Sequence, residues 1–164
     1  MYNEIDFRHS SVEDKIIICN KTQGILKAYF PDSEYTLHKN NLPEGIKFYK
    51  KLIDDFKGCC IMDSSAIIFY KKVEVTDQFN RNGEYQRVKD LAHNPNGNCL
   101  FIDFLVANFN DDNVEDLKEF FFRDQNIELF MMLRRGEVIL KPRRDLEVIA
   151  KRVSTYSLIS SLAS

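Results

Sequence analysis

Residues 98–108, with the sequence NCLFIDFLVAN, form the most hydrophobic stretch of the chain. A continuous apolar run of this length is typical of a strand at the centre of a sheet, where both faces are covered. Asp103 is the one charged residue within it. The stretch therefore predicts a central strand, around which the other elements can be placed.

The sequence before this strand predicts further strands that pair antiparallel. Cys59–Asp63 and Ala66–Val75 have the composition of strands and are separated by a short Asp-Ser-Ser turn. Asn82-Gly83 is a strong hairpin signal, so Arg87–His93 is the next predicted strand. With the central strand, these segments predict an antiparallel meander of about four strands.

Two helices are predicted ahead of the sheet. Leu42–Phe56 has apolar residues at helical spacing, and Gly58 predicts a left-handed cap at its end. Residues 10–30 fit either a helix that opens at Ser11 or two strands, and the helix is favoured. We therefore expect residues 1–30 to form a helical N-terminus.

The sequence after the central strand returns to a helix and then to strands. Asp112 and Glu115 have the spacing of a capping box and predict a helix. Ile127–Leu133 and Glu137–Lys141 predict two strands around an Arg-Arg-Gly turn. Residues 145–164 predict a last helix with a Ser-rich, frayed tail.

Helices packed on a mostly antiparallel sheet predict an α+β fold. The chain has 164 residues, which predicts a single domain over residues 1–164. A helix between the fourth and fifth strands is the layout of acyl-CoA N-acetyltransferase-like (GNAT-like) folds. Fold order alone does not establish an activity.

Charge and glycine usage disfavour several function classes. A net charge of −2 gives no bulk attraction to nucleic acid or to an acidic membrane. The six glycines include no G-x-G pair, so the nucleotide cradles of P-loop and Rossmann proteins are not expected. Residues 107–113 contain no glycine, so the loop that holds the CoA pyrophosphate in ordinary acetyltransferases is also missing.

The four cysteines fit no metal site. Cys59 and Cys60 are adjacent, Cys19 and Cys99 stand alone, and no C-x-x-C occurs, so we expect reduced, mostly buried thiols. Residues 1–6 carry two acids and are not followed by an apolar run, and no apolar stretch is long enough to span a bilayer. These features predict a cytoplasmic protein without bound metal.

Asp103 is the first candidate functional residue. It lies in the otherwise apolar segment 101–105 (FIDFL), where a buried carboxylate is costly unless it is paired or hydrogen-bonded. Two interpretations remain open. Alternation along the strand can place Asp103 on an open face of the sheet, or the carboxylate can orient and charge a partner in a cleft.

A histidine is the natural partner of such a carboxylate, and the chain has three. His38 lies just before a predicted helix, and beside Asp103 it is a candidate base or acyl acceptor because imidazole titrates near neutral pH. His9 lies in the N-terminal segment, and His93 precedes a turn and is expected to face solvent. The candidate catalytic pair is therefore His38 and Asp103.

Two short segments resemble those of the toxin-activating lysine acyltransferases, the enzymes that modify haemolysin-type RTX toxins. Residues 37–40 (LHKN) resemble the Leu-His-Arg-Asn segment of that family, and residues 101–104 (FIDF) resemble its Phe-Ile-Asp-Trp segment. Residues 60–70 resemble its strand–turn–strand with a central Asp, and residues 129–141 resemble its next hairpin. The resemblance extends loosely over residues 30–142.

The resemblance implies an acetyltransferase-like fold without the CoA pyrophosphate loop. It implies an acyl-loaded carrier protein as donor, a protein lysine as acceptor and no bound cofactor. By the same resemblance, His38 would take a proton from the attacking amine or transiently carry the acyl group. Asp103 would stabilise the imidazolium, a contribution of about 10²–10⁴ in rate. Asn41 stands where the family has a Trp.

A basic stretch towards the C-terminus is the candidate partner-binding surface. Between Arg134 and Arg152 the chain has seven basic and three acidic residues. This stretch is either a solvated hairpin and helix face or a contact for an acidic partner, such as an acyl carrier protein. A nucleic-acid partner is disfavoured, since no aromatic residue lies within the stretch to stack on bases. The candidate contact residues are Arg134, Arg135, Lys141, Arg143 and Arg144.

The favoured hypothesis is therefore an acyltransferase similar to the toxin-activating enzymes. The alternative is a non-enzymatic interaction or assembly protein on the same scaffold, for instance a component of a phage particle. A nucleic-acid-associated factor is a third, weaker hypothesis, and a homo-oligomer is compatible with each of them.

Overall fold

The computed structural model describes residues 2–39, 41–76, 81–108 and 111–152. Within them the chain forms six strands, five α-helices and a short 3-10 helix at Phe7–His9. The strands are β1 (Asn3–Ile5), β2 (Cys59–Met62), β3 (Ala66–Val73), β4 (Cys99–Ala107), β5 (Leu129–Arg134) and β6 (Glu137–Pro142). The helices are α1 (Val12–Tyr29), α2 (Leu42–Asp55), α3 (Arg81–Asp90), α4 (Asp111–Phe122) and α5 (Arg143–Arg152).

The strands form one sheet in chain order, β1-β2-β3-β4-β5-β6. Neighbouring strands are antiparallel except β4 and β5, which are parallel. A parallel pair needs a crossover, and α4 provides it. The predicted α+β class is confirmed, and the helix between the fourth and fifth strands gives the GNAT-like layout expected from the sequence.

Both faces of the sheet are covered. On one face, which we call the α4 face, β2, β3 and β4 pack against Leu117 and Phe121 of α4 and against Leu146 of α5. On the opposite face, which we call the α1–α3 face, α1 and α2 cover one part of the sheet and α3 covers another. The β4 strand therefore lies in the core, as its composition predicts.

The N-terminal region differs from the prediction in part. Helix α1 is the predicted one, and the Ser11 hydroxyl accepts a hydrogen bond from the Asp14 backbone N–H at 3.1 Å, which caps it. The preceding residues form no α-helix: β1 pairs with β2 from Asn3 opposite Met62 to Ile5 opposite Cys60, and Phe7–His9 forms the short 3-10 helix. This three-residue edge strand is too short to leave an alternating pattern in the sequence.

The predicted hairpin at Asn82-Gly83 is wrong. These residues lie in the first turn of α3, which also occupies most of the segment assigned to a strand at Arg87–His93. Tyr85 and Val88 are buried against the sheet, and their spacing of three residues is that of a helix. The meander does contain four strands, but β1 is the fourth member.

The end of α2 also differs from the prediction. The helix ends at Asp55, and Phe56 follows in an extended conformation with its N–H donating to the Leu52 carbonyl. Among the glycines of the described residues only Gly136 has a positive φ. Gly58 does not, and it is therefore not a left-handed cap. A Cβ at Gly58 would overlap the Tyr70 carbonyl oxygen, and close backbone approach is what glycine allows there.

The structure also bears on the predicted thiols, on membrane-spanning segments and on the last helix. All four cysteines are free and buried, and burial raises the pKa of Cys60 to about 12. Among the described residues no helix has the length and apolar character needed to span a bilayer. The predicted last helix begins at Arg143, and residues 153–164 of the predicted tail lie outside the described residues.

Candidate functional site

The pairing of β4 with β5 stops halfway along β4. The parallel register runs from Cys99 opposite Leu129 to Ile102 opposite Met132. Beyond that point β4 continues to Ala107 paired with β3, and β5 continues to Arg134 paired with β6. The facing edges of the two strands therefore leave main-chain groups unpaired between them, and we call this opening the β4–β5 gap.

A bulge lies at the start of this gap. Phe69 of β3 is opposite Phe104, whereas the next residue, Tyr70, is opposite Ile102. Asp103 is the extra residue, without a partner on β3. A bulge bends the strand and redirects a side chain. The bulge therefore lies at the point where β4 separates from β5, and Asp103 is the residue in it.

The electrostatic neighbours of Asp103 place it on the α1–α3 face. Its charge raises the pKa of Tyr35 and of Tyr85, in each case as a smaller effect than burial. Tyr35 packs edge-on against Phe104 at 4.9 Å between ring centroids. Tyr85 packs on Phe101 at 5.6 Å. The carboxylate thus lies on the strand between two phenylalanines, each of which is covered by a tyrosine.

Asp103 has no partner of its own within the described residues, where its carboxylate accepts no hydrogen bond and forms no ion pair. The Asp103 side chain is accessible to solvent. Many protein atoms nevertheless lie near the carboxylate, and the resulting partial desolvation raises its pKa. The positive charges of Lys71, Lys89 and Lys51 oppose that rise. A water-accessible carboxylate without a protein partner is available to a ligand.

Lys71 of β3 is the buried cation beside this carboxylate. The residue is 1% exposed, and its Nζ donates hydrogen bonds to the carbonyls of Lys89 and Leu91 at 2.6 Å each. These carbonyls belong to the end of α3, where a helix leaves acceptors unsatisfied. Burial lowers the pKa of Lys71 to about 8, against the opposing effect of Asp103. Lys71 thus fixes α3 on the sheet next to Asp103.

His38 lies in a loop that Asn41 organises. The Asn41 Oδ1 accepts a hydrogen bond from the His38 backbone N–H at 2.8 Å. Its Nδ2 donates to the carbonyls of Thr36 and Glu34 at 2.8 and 3.3 Å. Asn41 therefore holds the loop through three hydrogen bonds to its backbone. The His38 side chain is exposed.

The loop of His38 lies over the same face of the sheet as Asp103. Leu37 packs with the cluster under α1 and α2, and Tyr35 covers Phe104 next to Asp103. Within the described residues no hydrogen bond or ion pair joins the side chains of His38 and Asp103. The structure brings the two predicted residues to one face and leaves them unlinked.

The other two histidines have local contacts. His9 is exposed and its Nδ1 lies 2.9 Å from Oδ2 of Asp6. His93, expected to face solvent, is instead half-buried. Its Nδ1 accepts a hydrogen bond from the Lys72 backbone N–H at 3.0 Å, and burial lowers its pKa. It belongs to the connection between α3 and β4.

The basic stretch divides into a hairpin and an internal arginine. Arg135 and Gly136 form the two-residue turn between β5 and β6 with positive φ, and Arg134 and Lys141 lie on the two strands. Arg144 is exposed. The Arg143 guanidinium, however, donates to the carbonyls of Phe122, Asp124 and Ile127. Its Nε also lies 2.6 Å from Glu147, so Arg143 is engaged inside the fold.

Sequence reasoning missed Lys71 and Tyr85. Residues 66–75 contain Lys71, Lys72 and Glu74, so the sequence did not indicate which of these charged residues is buried. Tyr85 was hidden because α3 was interpreted as a hairpin. Within the described residues no group of three or more His, Cys, Asp or Glu side chains could hold a metal ion.

Comparison with known proteins gives one similar structure to report. No protein-family model matches the sequence, and no curated protein matches it. The solved structure is the loading GNATL domain of CurA from Lyngbya majuscula, with a TM-score of 0.39 and 11% sequence identity. The match covers 81% of this chain and 64% of that chain, so this chain spans less than two thirds of its length.

Proposed function

We propose that this protein is an acyltransferase that moves an acyl group from an acyl carrier protein to the side-chain amine of a protein lysine. The β4–β5 gap is the observation that carries the proposal. Its unpaired strand edges offer main-chain hydrogen bonds to an extended arm, such as the pantetheine of a carrier protein. The bulge places the carboxylate of Asp103 at the start of the gap.

The absence of glycine from residues 107–113 favours a carrier protein over free CoA as the donor. The sequence there has Asp111 and Asp112 in place of a glycine-rich loop, and acidic residues disfavour a pyrophosphate because like charges repel. A carrier protein carries its arm on a serine phosphate at its own surface, so the enzyme needs no such loop. No cofactor is bound in this proposal.

In the proposed reaction the lysine amine attacks the thioester carbonyl carbon. The C–S bond breaks, an amide forms, and the amine proton passes to His38 and then to the leaving thiolate. Asp103 stabilises the imidazolium. The two side chains are not hydrogen-bonded in the free protein, and catalytic contacts commonly tighten only when substrate is bound.

The β5–β6 hairpin supplies the proposed contact for the acidic carrier protein. Arg134 and Arg135 lie at the end of β5, on the side where it leaves β4, and Lys141 lies on β6. Arg144 is exposed nearby in sequence, at the start of α5. Positive charge in this position would guide an acidic partner towards the gap. Arg143 stabilises the fold beneath this surface.

The test is to incubate the protein with acyl carrier proteins loaded with acyl chains of several lengths and with lysine-containing acceptor peptides. Released carrier thiol and acylated peptide are measured by mass spectrometry. We expect His38→Ala and Asp103→Asn to lower transfer by about 10²–10⁴. His9→Ala is the matched control, because His9 is also an exposed histidine.

Transfer by the wild type that is equally fast in His38→Ala would remove the catalytic role of His38. The absence of transfer from every loaded carrier protein would contradict the proposed function. An equal rate with acetyl-CoA would contradict the preference for a carrier protein.

A further inference from the structure

A groove between α1 and α2 is separate from the Asp103 site. Its volume is about 350 Å³, within the range of small-molecule sites. Its lining is mainly apolar, with Ile16 on α1, Ile46 and Ile53 on α2, and Leu37 from the loop of His38. Ile16 and Ile46 remain 45% and 55% exposed. Large apolar side chains at the mouth of a recess indicate a surface that binds something apolar.

Two polar side chains of the groove, those of Gln23 and Tyr49, are already hydrogen-bonded within the protein. Gln23 donates to the Tyr49 hydroxyl at 2.6 Å and to the Tyr35 carbonyl at 2.7 Å, and its Oε1 accepts from the Leu37 N–H at 2.8 Å. The Tyr49 hydroxyl donates to the same Tyr35 carbonyl at 3.1 Å. Gln23 and Tyr49 therefore bind each other and the backbone, and the polar side chains left to meet the head of a ligand are those of Asn20 and Lys50, both exposed.

The groove has a buried, apolar inner end and a charged residue at its rim. Cys19 lines the groove and is 6% exposed, and burial raises its pKa to about 11. Lys50 is the charged residue among those that line the groove, and it is exposed. An apolar recess with one cation at its edge complements an amphiphile that has an alkyl chain and an anionic head.

We propose that this groove binds a linear alkyl chain of about ten carbons with its polar head at Lys50. The volume equals that of about a dozen water molecules at about 30 Å³ each, and a methylene group occupies a similar space. This site goes beyond the proposed function, because binding requires neither a carrier protein nor transfer. That the chain is the acyl group delivered to His38, the neighbour of Leu37, rests on the proposed function.

Calorimetric titration of the wild type with hexanoate, octanoate, decanoate and hexadecanoate tests the site. We expect saturable binding at one site, with affinity rising about fourfold per methylene up to decanoate and no further gain for hexadecanoate. Free decanoate and S-decanoyl-pantetheine, titrated in parallel, distinguish a free fatty acid from a carrier-borne acyl chain as the source. Binding of either one supports the alkyl site, and tighter binding of decanoate than of the uncharged thioester supports the contact of an anionic head with Lys50.

Two variants on one helix provide the matched control. Ile16 lines the groove and Ile17 does not, although both are isoleucines of α1 with similar exposure, 45% and 49%. We expect Ile16→Asn to weaken decanoate binding about tenfold. Ile17→Asn should leave it within about twofold of the wild type. Equal circular dichroism spectra and melting temperatures check that both variants fold.

Several outcomes would overturn the site. They are the absence of saturable binding for both probes, an affinity that keeps rising through hexadecanoate, and an equal loss in the two variants. A dimer of the wild type that Ile16→Asn dissociates would assign the groove to a second copy of the chain instead. Saturable decanoate binding without acyl transfer would contradict the proposed function and leave this site standing.

Discussion

Lys71 and Asp103 each favour the charged form of the other on the α1–α3 face of the sheet. Burial lowers the pKa of Lys71 to about 8, and the charge of Asp103 opposes that change. Desolvation raises the pKa of Asp103, and the charge of Lys71 opposes that rise. No ion pair joins them within the described residues, because the Lys71 ammonium binds two carbonyls at the end of α3. The Asp103 carboxylate thus has a positive charge nearby without forming an ion pair with it.

Asp103→Asn is expected to raise stability at neutral pH. The folded state holds the ionised carboxylate at a cost, because its folded pKa is above that of the unfolded chain, about 3.9. This cost is present above the folded pKa and disappears below the unfolded pKa, where both states are protonated. The melting temperature should exceed that of the wild type at about pH 7, and the difference should vanish near pH 3.

Asp54→Asn, at an exposed position of α2, is the control for that measurement. A lower melting temperature of Asp103→Asn at neutral pH would show that the carboxylate holds the fold together. In that case its availability to a ligand would lose its support.

The stability of Lys71→Met relative to the wild type should depend on pH. The folded pKa of Lys71, about 8, is below the value of about 10.4 in the unfolded chain. Between these values the unfolded state binds more protons, so the wild type gains stability as pH rises. The variant has no lysine at this position and lacks this gain. The melting temperature of the wild type minus that of the variant should therefore increase from about pH 7 to pH 10. A constant difference across that range would contradict the lowered pKa.

Gly45→Ala should destabilise the protein through the loop of His38. A Cβ at Gly45 would overlap Cδ2 of Leu37, so this side chain, which packs with the cluster under α1 and α2, must move. Overpacking of this kind costs about 1–3 kcal/mol, which outweighs the about 0.5–1 kcal/mol that alanine gains over glycine in a helix. Gly24→Ala is the control, because a Cβ at Gly24 in α1 meets nothing within 4 Å and alanine favours the helix by about 0.5–1 kcal/mol. Denaturant unfolding should give opposite signs for the two variants, and equal signs would contradict the contact.

Arg143→Ala and Arg144→Ala should differ in their effect on stability, although the two arginines are adjacent in the basic stretch. The Arg143 side chain is 13% exposed and donates to three carbonyls, so its loss should cost about 2–4 kcal/mol of unfolding free energy. The Arg144 side chain is 87% exposed, and its loss should change stability by less than about 0.5 kcal/mol. Equal losses, measured by urea denaturation, would contradict the division.

The helices and strands could be predicted from the sequence where it contains a long apolar run or a long stretch of helical spacing. The run of residues 98–108 identified the strand that became β4, and the helical spacing in Leu42–Phe56 identified α2. The Asn82-Gly83 pair misled because a local turn signal was weighted above the spacing of Tyr85 and Val88. Short-range turn preferences are weak against packing of a helix on the sheet.

The candidate site was accessible only in part. Asp103 was found because a carboxylate in an apolar strand is costly. Its position in a bulge could not be read from the sequence, since an extra residue changes the register and leaves no mark in composition. His38 is a candidate both as the natural partner of a carboxylate and from the resemblance, and the role of Asn41 in holding its loop required coordinates. The internal contacts of Arg143 likewise depend on how α4, β5 and α5 meet.

The early end of the parallel pairing has a consequence for self-association. An outer edge of a sheet, such as that of β1 or β6, can template another chain and start a growing assembly. The β4–β5 gap, in contrast, is flanked on both sides by strands of one molecule. It can accept one extended segment, but that segment adds no new sheet edge to which another chain could pair. By opening beyond Ile102, this protein exposes backbone donors and acceptors without inviting polymerisation.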